Sequence, residues 1–223
     1  MANPGPRRRR YSSVAREEQA RRTRSGVLTA ATTLFVDRGY GATTMRAVAT
    51  ASGVSVPTVE ALFGSKPRLL KAAIDLAIAG DDEPVALLDR SWARRAAAAI
   101  TPSELLLLVM EVLVPTQIRS AGLLLSLFEG AATDPGLAQL AERKTEDRST
   151  LARWLVDRLA AVGPLRPGLE RDEAIDTCWL LIDPAVFHRL TVQRGWGPER
   201  YGRWLADTLS RLLIDHPPDG SSP

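Results

Sequence analysis

The chain has 223 residues, 45% of them hydrophobic and 25% charged, which is the composition of a globular protein with enough apolar residues for one large domain or two small ones. Cys178 is the only cysteine, which excludes an internal disulfide framework and is consistent with a reducing cytoplasm. The net charge of +3 is uneven, because residues 1–79 carry thirteen basic and five acidic side chains. This suggests a polyanion-binding module on an acidic remainder, although such an asymmetry also arises by chance.

A run of four arginines, Arg7 to Arg10, lies near the N-terminus. Such a run can begin a secretion signal, but Tyr11 to Arg24 is polar and charged rather than apolar. A signal peptide is therefore rejected, and we expect a cytoplasmic protein. Residues 1–18 are expected to form a disordered basic tail.

Two amphipathic helices are predicted in the next stretch of the chain. The first ends at Gly39, a residue suited to a left-handed helix end, and the second is broken by the run from Gly80 to Pro84. We expect an N-terminal domain over residues 19–80 and a second domain over residues 81–216. The apolar positions with helical spacing are Val27, Leu28, Ala31, Leu34 and Phe35 in the first helix and Leu69, Leu70, Ala73, Ile74, Ala77 and Ile78 in the second.

The stretch from Thr43 to Phe63 predicts a short helix, a tight turn and a second short helix. Thr43 or Thr44 is placed to cap the first helix, Gly53 supplies a positive φ for the turn, and Ser55 caps the second helix with a proline in its first turn. This arrangement is a helix-turn-helix, whose second helix enters the major groove of DNA with its N-terminal residues at the base edges. The residues predicted to face the core are Met45, Val48, Ala49, Val54, Val59, Leu62 and Phe63.

These segments resemble the TetR family (TetR/AcrR) of transcriptional regulators over residues 20 to 78. The resemblance is carried, in order, by the runs LFVDRGYGATT, MRAVATASGVSVPT and LFGSKPRLLKAAI. The later run RGWGPERYGRWLADTLSRLL also resembles the final helix of many members. The resemblance implies a sequence-specific regulator, in its usual form a repressor released from operator DNA by a small apolar or amphipathic ligand.

The resemblance also assigns contacts to DNA. Thr44 and Arg46 are implied as phosphate or base contacts, and Lys66 as a phosphate contact at the start of the fourth helix. Glu60 departs from the family, which usually has an aromatic residue there. It accepts a bond from a cytosine amino group, repels phosphate, or simply faces solvent. The residues at the head of the recognition helix are Ser55, Val56, Pro57 and Thr58.

The arginine-rich tail then has two interpretations. It is either a flexible arm that adds phosphate or minor-groove contacts, or a solvated segment with a generic, salt-dependent attraction to DNA.

The rest of the chain predicts five helical blocks, which brings the all-α fold to about nine helices. The longest apolar run, Leu105 to Val114, is about half of what a membrane span needs, so no membrane segment is expected. Pro115 and Pro184 are each expected to kink or break their block, and residues 217–223 are expected to be disordered. The blocks are Pro84 to Ala98, Pro102 to Ala131, Gly136 to Val162, Glu170 to Gln193 and Pro198 to Ile214.

Five tryptophans lie beyond residue 80, where they serve either a core, an interface or a ligand pocket. The candidate pocket residues are Trp92, Met110, Leu113, Gln117, Phe128 and Trp154, and for Gln117 the alternative is a solvent-facing glutamine. The resemblance implies a homodimer formed by the last two helices, which suits two half-sites on successive turns of DNA. The candidate interface residues are Trp179, Leu180, Phe187, Leu190, Trp204, Leu205 and Leu212.

An enzyme is the main competing class. His188 and His216 are the only histidines, and neither forms a nucleophile-base motif with Cys178. The sequence has no metal-ligand spacing and no phosphate-cradling glycine loop, so no catalytic site, metal or cofactor is expected. Cys178 is either a buried structural thiol or a redox switch. A helical protein-interaction module, or a nonspecific DNA binder without ligand response, remains the alternative function.

Overall fold

The protein is all-α, as its sequence predicts. The structure, a computed structural model, describes residues 6–80 and 87–215, with side chains described over 16–80 and 88–215. In these ranges there is no strand, and Leu165 and Ile214 form one isolated antiparallel bridge. The helices are α1 Pro6–Ala42, α2 Met45–Ser52, α3 Val56–Phe63, α4 Lys66–Ala79, α5 Ser91–Ala97, α6 Pro102–Ala131, α7 Pro135–Val162, α8 Arg171–Leu181, α9 Pro184–His188 and α10 Pro198–Leu213, with a 3₁₀ turn at Leu87–Asp89 and a π turn at Arg189–Gln193.

The chain divides into two compact units, and the division falls within α4, between Ala73 and Ile74. The first unit has its own core. Val27, Ala31 and Phe35 on α1 are fully buried, as are Leu69 and Leu70 on α4, so the predicted apolar stripes are the packed faces of these helices. Gly39 has φ 73°, which gives the predicted left-handed end to the long part of α1 before the chain reaches α2.

The start of α1 corrects one expectation. Residues 6–18, expected to be a disordered tail, are the first turns of α1, whereas residues 1–5 lie outside the described residues. Pro6 suits the first position of a helix, and the stretches from Arg7 to Arg10 and from Ala15 to Ala20 consist of strong helix formers. The predicted tail at residues 217–223 lies outside the described part of the chain.

In the second unit α5, α7, α9 and α10 pack against α6. Thr101 begins α6 as predicted, since its hydroxyl accepts a hydrogen bond of 3.2 Å from the backbone of Glu104. A kink or a break was expected at Pro115, which lies inside α6, and the helix continues without a break from Pro102 to Ala131. A proline there removes one backbone hydrogen bond, and packing of the neighbouring helices offsets that loss.

α6 is both long and strongly apolar. By length and composition alone, α6 could cross a membrane, although 44% of its most apolar stretch is buried within the protein. The buried residues include Leu105, Leu106, Val109 and Leu123, which lie against the packed neighbours of the helix. A helix at the centre of a bundle carries apolar residues on several faces for this reason.

The block from Glu170 to Gln193 is interrupted at Pro184, as predicted. α8 ends at Leu181, and Pro184 begins α9 behind the cap Asp183, whose Oδ1 accepts a hydrogen bond of 2.7 Å from the backbone of Ala185. One predicted helix therefore becomes two. This split is why the described residues contain ten α-helices rather than about nine. The predicted block from Pro84 to Ala98 corresponds to the 3₁₀ turn and α5, and its first residues lie outside the described range.

Candidate nucleic-acid interface and cavity

The helix-turn-helix is built from local hydrogen bonds between residues close in sequence. The Thr44 hydroxyl accepts a hydrogen bond of 3.1 Å from the backbone of Ala47 and caps α2. Gly53 ends α2 with φ 68°, and the Ser55 hydroxyl caps α3 by accepting a bond of 3.2 Å from the backbone of Thr58. The predicted caps and turn are therefore confirmed, with Thr44 as the cap of α2.

Thr43 has a different function from its neighbour. It is fully buried, and its hydroxyl lies 3.0 Å from the carbonyl oxygen of Leu34 and 2.8 Å from that of Gly39. The hydroxyl thus satisfies carbonyl groups at the end of α1 that the turn at Gly39 leaves without helical partners. Thr43 fixes the angle at which the chain enters α2.

The inner side of α2 and α3 is apolar. Val48 and Val59 are fully buried, and Ala49 and Phe63 nearly so. The other three predicted core residues are half-buried, namely Met45, Val54 and Leu62. This packing fixes which side of each helix faces outward.

The outer side of α2 and α3 carries the predicted DNA contacts. Both α2 candidates are exposed, and on α3 the head of the helix is open to solvent. The hydroxyls of Ser55 and Thr58 lie 2.8 Å apart, and the Glu60 carboxylate forms no ion pair with any described residue. The exposed candidates are Thr44, Arg46, Ser55, Pro57 and Glu60, and the half-buried ones are Val56, Thr58 and Lys66.

Lys66 has a structural contact that sequence reasoning did not predict. Its ammonium donates a hydrogen bond of 2.9 Å to the carbonyl of Tyr40 and lies 3.8 Å from the centre of the Tyr40 ring. The contact ties the start of α4 to the end of α1. An ammonium has three N–H donors, so a phosphate contact from the same group stays a prediction.

Arg24 was not singled out from the sequence. Its Nη1 lies 3.5 Å from the carbonyl oxygen of Leu62, to which it donates, and its guanidinium lies 4.6 Å from the centre of the Phe63 ring. A cation suits this position because the carbonyl groups at the end of α3 carry partial negative charge. The position of Arg24 could have been inferred from its spacing in the sequence, because it stands one helical turn before Val27 and Leu28 and so lies on the packed side of α1.

The second unit contains a cavity of about 680 Å³. Residues at helical spacing on α6 form one wall, and residues at helical spacing on α7 form another, because each helix turns one stripe toward the cavity. The end of α4 contributes a third wall. The lining residues are Asp75, Ile78, Ala79, Leu88, Arg90, Leu113, Thr116, Gln117, Ser120, Leu124, Phe128, Lys144, Asp147, Arg148, Thr150, Leu151, Ile182 and Pro184.

Charged groups lie on the α7 side of this cavity. The Lys144 ammonium lies 3.6 Å from a carboxylate oxygen of Asp75 and 3.1 Å from one of Asp147. One amino group of Arg148 donates to Asp183, and the Arg148 guanidinium lies 4.0 Å from the centre of the Trp179 ring. Burial lowers the pKa of Arg148, and the neighbouring Asp183 opposes that change.

Gln117 faces the interior of the second unit. The alternative interpretation, a solvent-facing glutamine, is therefore wrong. Gln117 is 4% exposed, and its amide nitrogen donates a hydrogen bond of 2.9 Å to the carbonyl of Ile182. This carbonyl lies at the end of α8, where helix geometry leaves carbonyl groups unsatisfied. The bond holds the break between α8 and α9 against α6.

The six candidate pocket residues separate into two groups. Three of them line the cavity, namely Leu113, Gln117 and Phe128. The other three are not among its lining residues, and Trp92 and Trp154 pack edge to face with ring centres 5.6 Å apart. The apolar cluster of this unit contains Trp92, Met110 and, at its margin, Trp154.

The candidate dimer residues also differ in exposure. Leu180 is 59% exposed and Leu212 is 38% exposed. Trp179, Leu190 and Trp204 are half-buried, and Trp204 packs against two aromatic neighbours in its own chain. Phe187 and Leu205 are buried inside the chain itself, so their side chains are already covered before any partner binds.

Within residues 6–80 and 87–215 the side chains with catalytic potential do not form a cluster. Cys178 is buried, and desolvation raises the pKa of its thiol to about 12, so it stays protonated and inert at neutral pH. Among the described residues no group of three or more metal-binding side chains is found. His216 lies outside the described part of the chain.

Comparisons with known proteins agree with this geometry. The family model of the tetR family of bacterial regulatory proteins matches residues 27–73. No curated protein matches the chain. Solved structures share its fold, among them three with a TM-score of 0.63.

One of these structures is NalD of Pseudomonas aeruginosa, the secondary repressor of the MexAB-OprM multidrug efflux pump. It is 22% identical with a TM-score of 0.63, and the match covers 88% of this chain and 97% of NalD. The second is a transcriptional regulator from Saccharomonospora viridis in complex with choline, with 19% identity, a TM-score of 0.63 and coverage of 86% and 98%. The third is the SmeT-triclosan complex, with 15% identity, a TM-score of 0.63 and coverage of 90% and 97%.

Proposed function

We propose that the chain, whose residues 27–73 match the model of the tetR family of bacterial regulatory proteins, is a repressor of that family that binds operator DNA as a homodimer and releases it when a small molecule fills the cavity. It is a DNA-binding transcriptional regulator and not an enzyme. The observation that carries the proposal is the helix-turn-helix with the head of α3 open to solvent. Repression, the operator, the homodimer and the effector are the proposed parts.

The DNA contacts divide between positioning and sequence recognition. Thr44 and Arg46 stand at the exposed start of α2, where a hydroxyl and a guanidinium bind phosphate oxygens and fix the orientation of the domain. Ser55, Pro57 and Thr58 stand at the head of α3, the part of a recognition helix that contacts base edges. Lys66 adds a phosphate contact from α4.

A homodimer follows from the way such helices meet DNA. One short recognition helix reaches only a few base pairs, so two copies on successive major grooves are needed for a specific site, and the site is then an inverted repeat. Leu180 and Leu212 are the exposed apolar residues of the proposed interface. Their burial against a partner removes apolar surface from water.

The cavity supports an effector. Its volume of about 680 Å³ lies in the range of small-molecule sites, and most of its lining is apolar with a few charged groups. Two proteins of the same fold hold small molecules, choline in one and triclosan in the other. The end of α4 lines the cavity through Asp75, Ile78 and Ala79, so a ligand there acts on the helix that begins at Lys66 in the N-terminal unit.

The proposal is tested by selection from a pool of random duplex DNA with the purified protein at near-physiological salt, followed by sequencing. We expect an enriched inverted repeat, because two recognition helices related by a two-fold axis read the same half-site twice. Bulk binding that falls with salt and enriches no sequence would contradict the proposal. It would favour a nonspecific DNA binder or a helical protein-interaction module instead.

A further inference from the structure

Three of the five charged side chains that line the cavity lie on one stripe of α7. Lys144, Asp147, Arg148 and Leu151 all line the cavity, and their spacing of three and four residues places them on one face of the helix. Facing them, α6 contributes the apolar Leu113, Leu124 and Phe128 together with a few hydroxyl and amide groups. The charged groups of the lining are therefore concentrated on α7, and the other two are Asp75 on α4 and Arg90.

The two acidic side chains of the lining are both engaged by the same cation. The Lys144 ammonium lies 3.6 Å from Asp75 Oδ1 and 3.1 Å from Asp147 Oδ2. A cationic ligand would have to displace Lys144 to reach either carboxylate. Each of the two carboxylates thus has Lys144 as a partner, and the lining as a whole carries three cations, Arg90, Lys144 and Arg148, against two carboxylates.

The positive charge of Arg148 is matched less completely. Its Nη1 donates to Asp183, which is not a lining residue and whose other oxygen caps α9. Its Nε is buried without a hydrogen-bond acceptor, and its Nη2 makes no hydrogen bond with the described residues. Buried donors on a cation gain most from a charged acceptor. Arg90 adds a further cation to the lining.

We infer that the effector of this cavity is an amphipathic anion, with its anionic group bound between Lys144 and Arg148 and its apolar body against Leu113, Leu124, Phe128 and Leu151. This inference rests on the proposed role of the cavity as the effector site. It goes beyond that role by assigning the charge of the ligand and the side chains that hold the head group.

The same geometry gives the ligand a route to α4. Asp75 lies on α4, and its ion pair with Lys144 joins α4 to α7, beside a second contact in which Arg119 Nε donates a bond of 2.9 Å to the carbonyl of Ala77. An anionic head group competes with Asp75 for Lys144. Binding therefore releases one of the contacts that hold the end of α4.

The test compares three probes with the same ten-carbon chain and different head charge, namely decanoate, decan-1-ol and decyltrimethylammonium. Their dissociation constants are measured by titration calorimetry below the micelle concentration. We expect decanoate to bind about tenfold or more tightly than either of the others, as charge-assisted hydrogen bonds in a water-poor site predict. Equal binding of the three, tighter binding of the cation, or no binding of decanoate overturns the inference.

Substitutions on α7 test the assigned head-group site. Lys144→Gln should weaken the binding of decanoate about tenfold and leave the binding of decan-1-ol unchanged. The matched control is Arg143→Gln, since Arg143 is exposed, adjacent in sequence and absent from the lining, and it should change neither. Equal loss of both probes in Lys144→Gln would indicate damage to the cavity and overturn the assignment.

A third variant is expected to strengthen the binding of decanoate rather than weaken it. Asp75→Asn removes the carboxylate that competes for Lys144, so it should bind decanoate about twofold to fivefold more tightly, a range set by the modest strength of a partly exposed ion pair. Weaker or unchanged binding would overturn the proposed competition. A merely structural role of Asp75 predicts no gain.

The inference and the proposed function fail separately. If decanoate binds as expected but random-duplex selection enriches no sequence, the regulator proposal fails and the anion site stands. If an inverted repeat is selected but the head-charge preference is missing, the anion site fails and the regulator proposal stands.

Discussion

Two glycines of the N-terminal unit make opposite predictions, because the backbone requires different things of them. Gly53 has φ 68° with open space around it, so Gly53→Ala meets no atom but must adopt a conformation that side chains disfavour. Gly26 lies inside α1, also in open space, where alanine is the better helix former. We expect Gly53→Ala to lower the free energy of unfolding by about 1 kcal/mol and Gly26→Ala to raise it by up to about 1 kcal/mol.

The measurement is chemical denaturation followed by far-ultraviolet circular dichroism. Tryptophan fluorescence is unsuitable as the only probe, since all five tryptophans lie beyond residue 80. If Gly53→Ala does not lower the free energy of unfolding, the tight turn at Gly53 is not the constraint described above. If Gly26→Ala lowers it, the expectation for the interior of α1 is wrong.

Glu60 makes the second prediction at the scale of a single residue. Its exposed carboxylate on α3 is expected to repel phosphate rather than to read a base, so Glu60→Gln should raise affinity by about twofold to fivefold for every duplex alike. Fluorescence anisotropy with the selected operator and with a scrambled duplex measures this. A loss confined to the operator would instead assign Glu60 to a cytosine amino group.

Single residues also mark the limit of sequence reasoning. The caps Thr44 and Ser55 were predictable because each bonds to a backbone group three residues away. The contacts of Lys66 with Tyr40 and of Lys144 with Asp75 were not, because they join positions far apart in the chain. Only the packing of whole helices brings such pairs together.

At the scale of helices, prediction succeeded where local signals were strong. The predicted bounds of α6, Pro102 to Ala131, agree with the structure, and its start was indicated by Thr101 and the proline after it. Of the kink or break expected at Pro115, the break does not occur, because propensity at one position is outweighed by tertiary packing on both sides of it. Pro184 did interrupt its block, with Asp183 available to cap the new helix.

The first helix carries a prediction about salt dependence. Arg7 to Arg10 belong to α1, which continues without interruption toward the core of the N-terminal unit. Replacing these four arginines with glutamine should make the fall of DNA affinity with salt shallower, by about 0.9 for each phosphate that the protein no longer neutralises. The slope is measured by anisotropy over a salt series.

An unchanged slope in that series would exclude this segment from the DNA interface. Arg143→Gln, which changes one exposed cation on α7 of the second unit, serves as the control and should leave the slope as it is.

The whole molecule is predicted to act as a homodimer. Leu180→Glu should shift it toward the monomer, since an unpaired charge at an apolar interface costs several kcal/mol, and operator affinity should fall with it. Leu107→Glu is the control, because Leu107 is 65% exposed on α6 and lies outside the proposed interface. Sedimentation analysis at matched protein concentrations measures the fraction of dimer in each variant. If the dimer persists in Leu180→Glu, Leu180 is not part of the interface.

At the scale of the whole molecule, the lining of the cavity could be predicted from the sequence only in part. Leu113, Gln117 and Phe128 were predicted as pocket residues and do line it, since they share one face of α6. The tryptophans were chosen from composition alone, and Trp92 and Trp154 pack against one another instead of lining it. The charged stripe of α7 was missed because solvent-facing charge and cavity-facing charge look alike in a sequence.

The central claim is that the head of α3 reads operator sequence, and selection from random duplexes with two proteins in parallel tests it most directly. The proteins are the wild type and Thr58→Ala, whose missing hydroxyl leaves the Ser55 cap in place. We predict the same inverted repeat and spacing from both, with base preference lost at symmetric positions in the variant. An unchanged consensus, or no consensus from the wild type, would contradict the account.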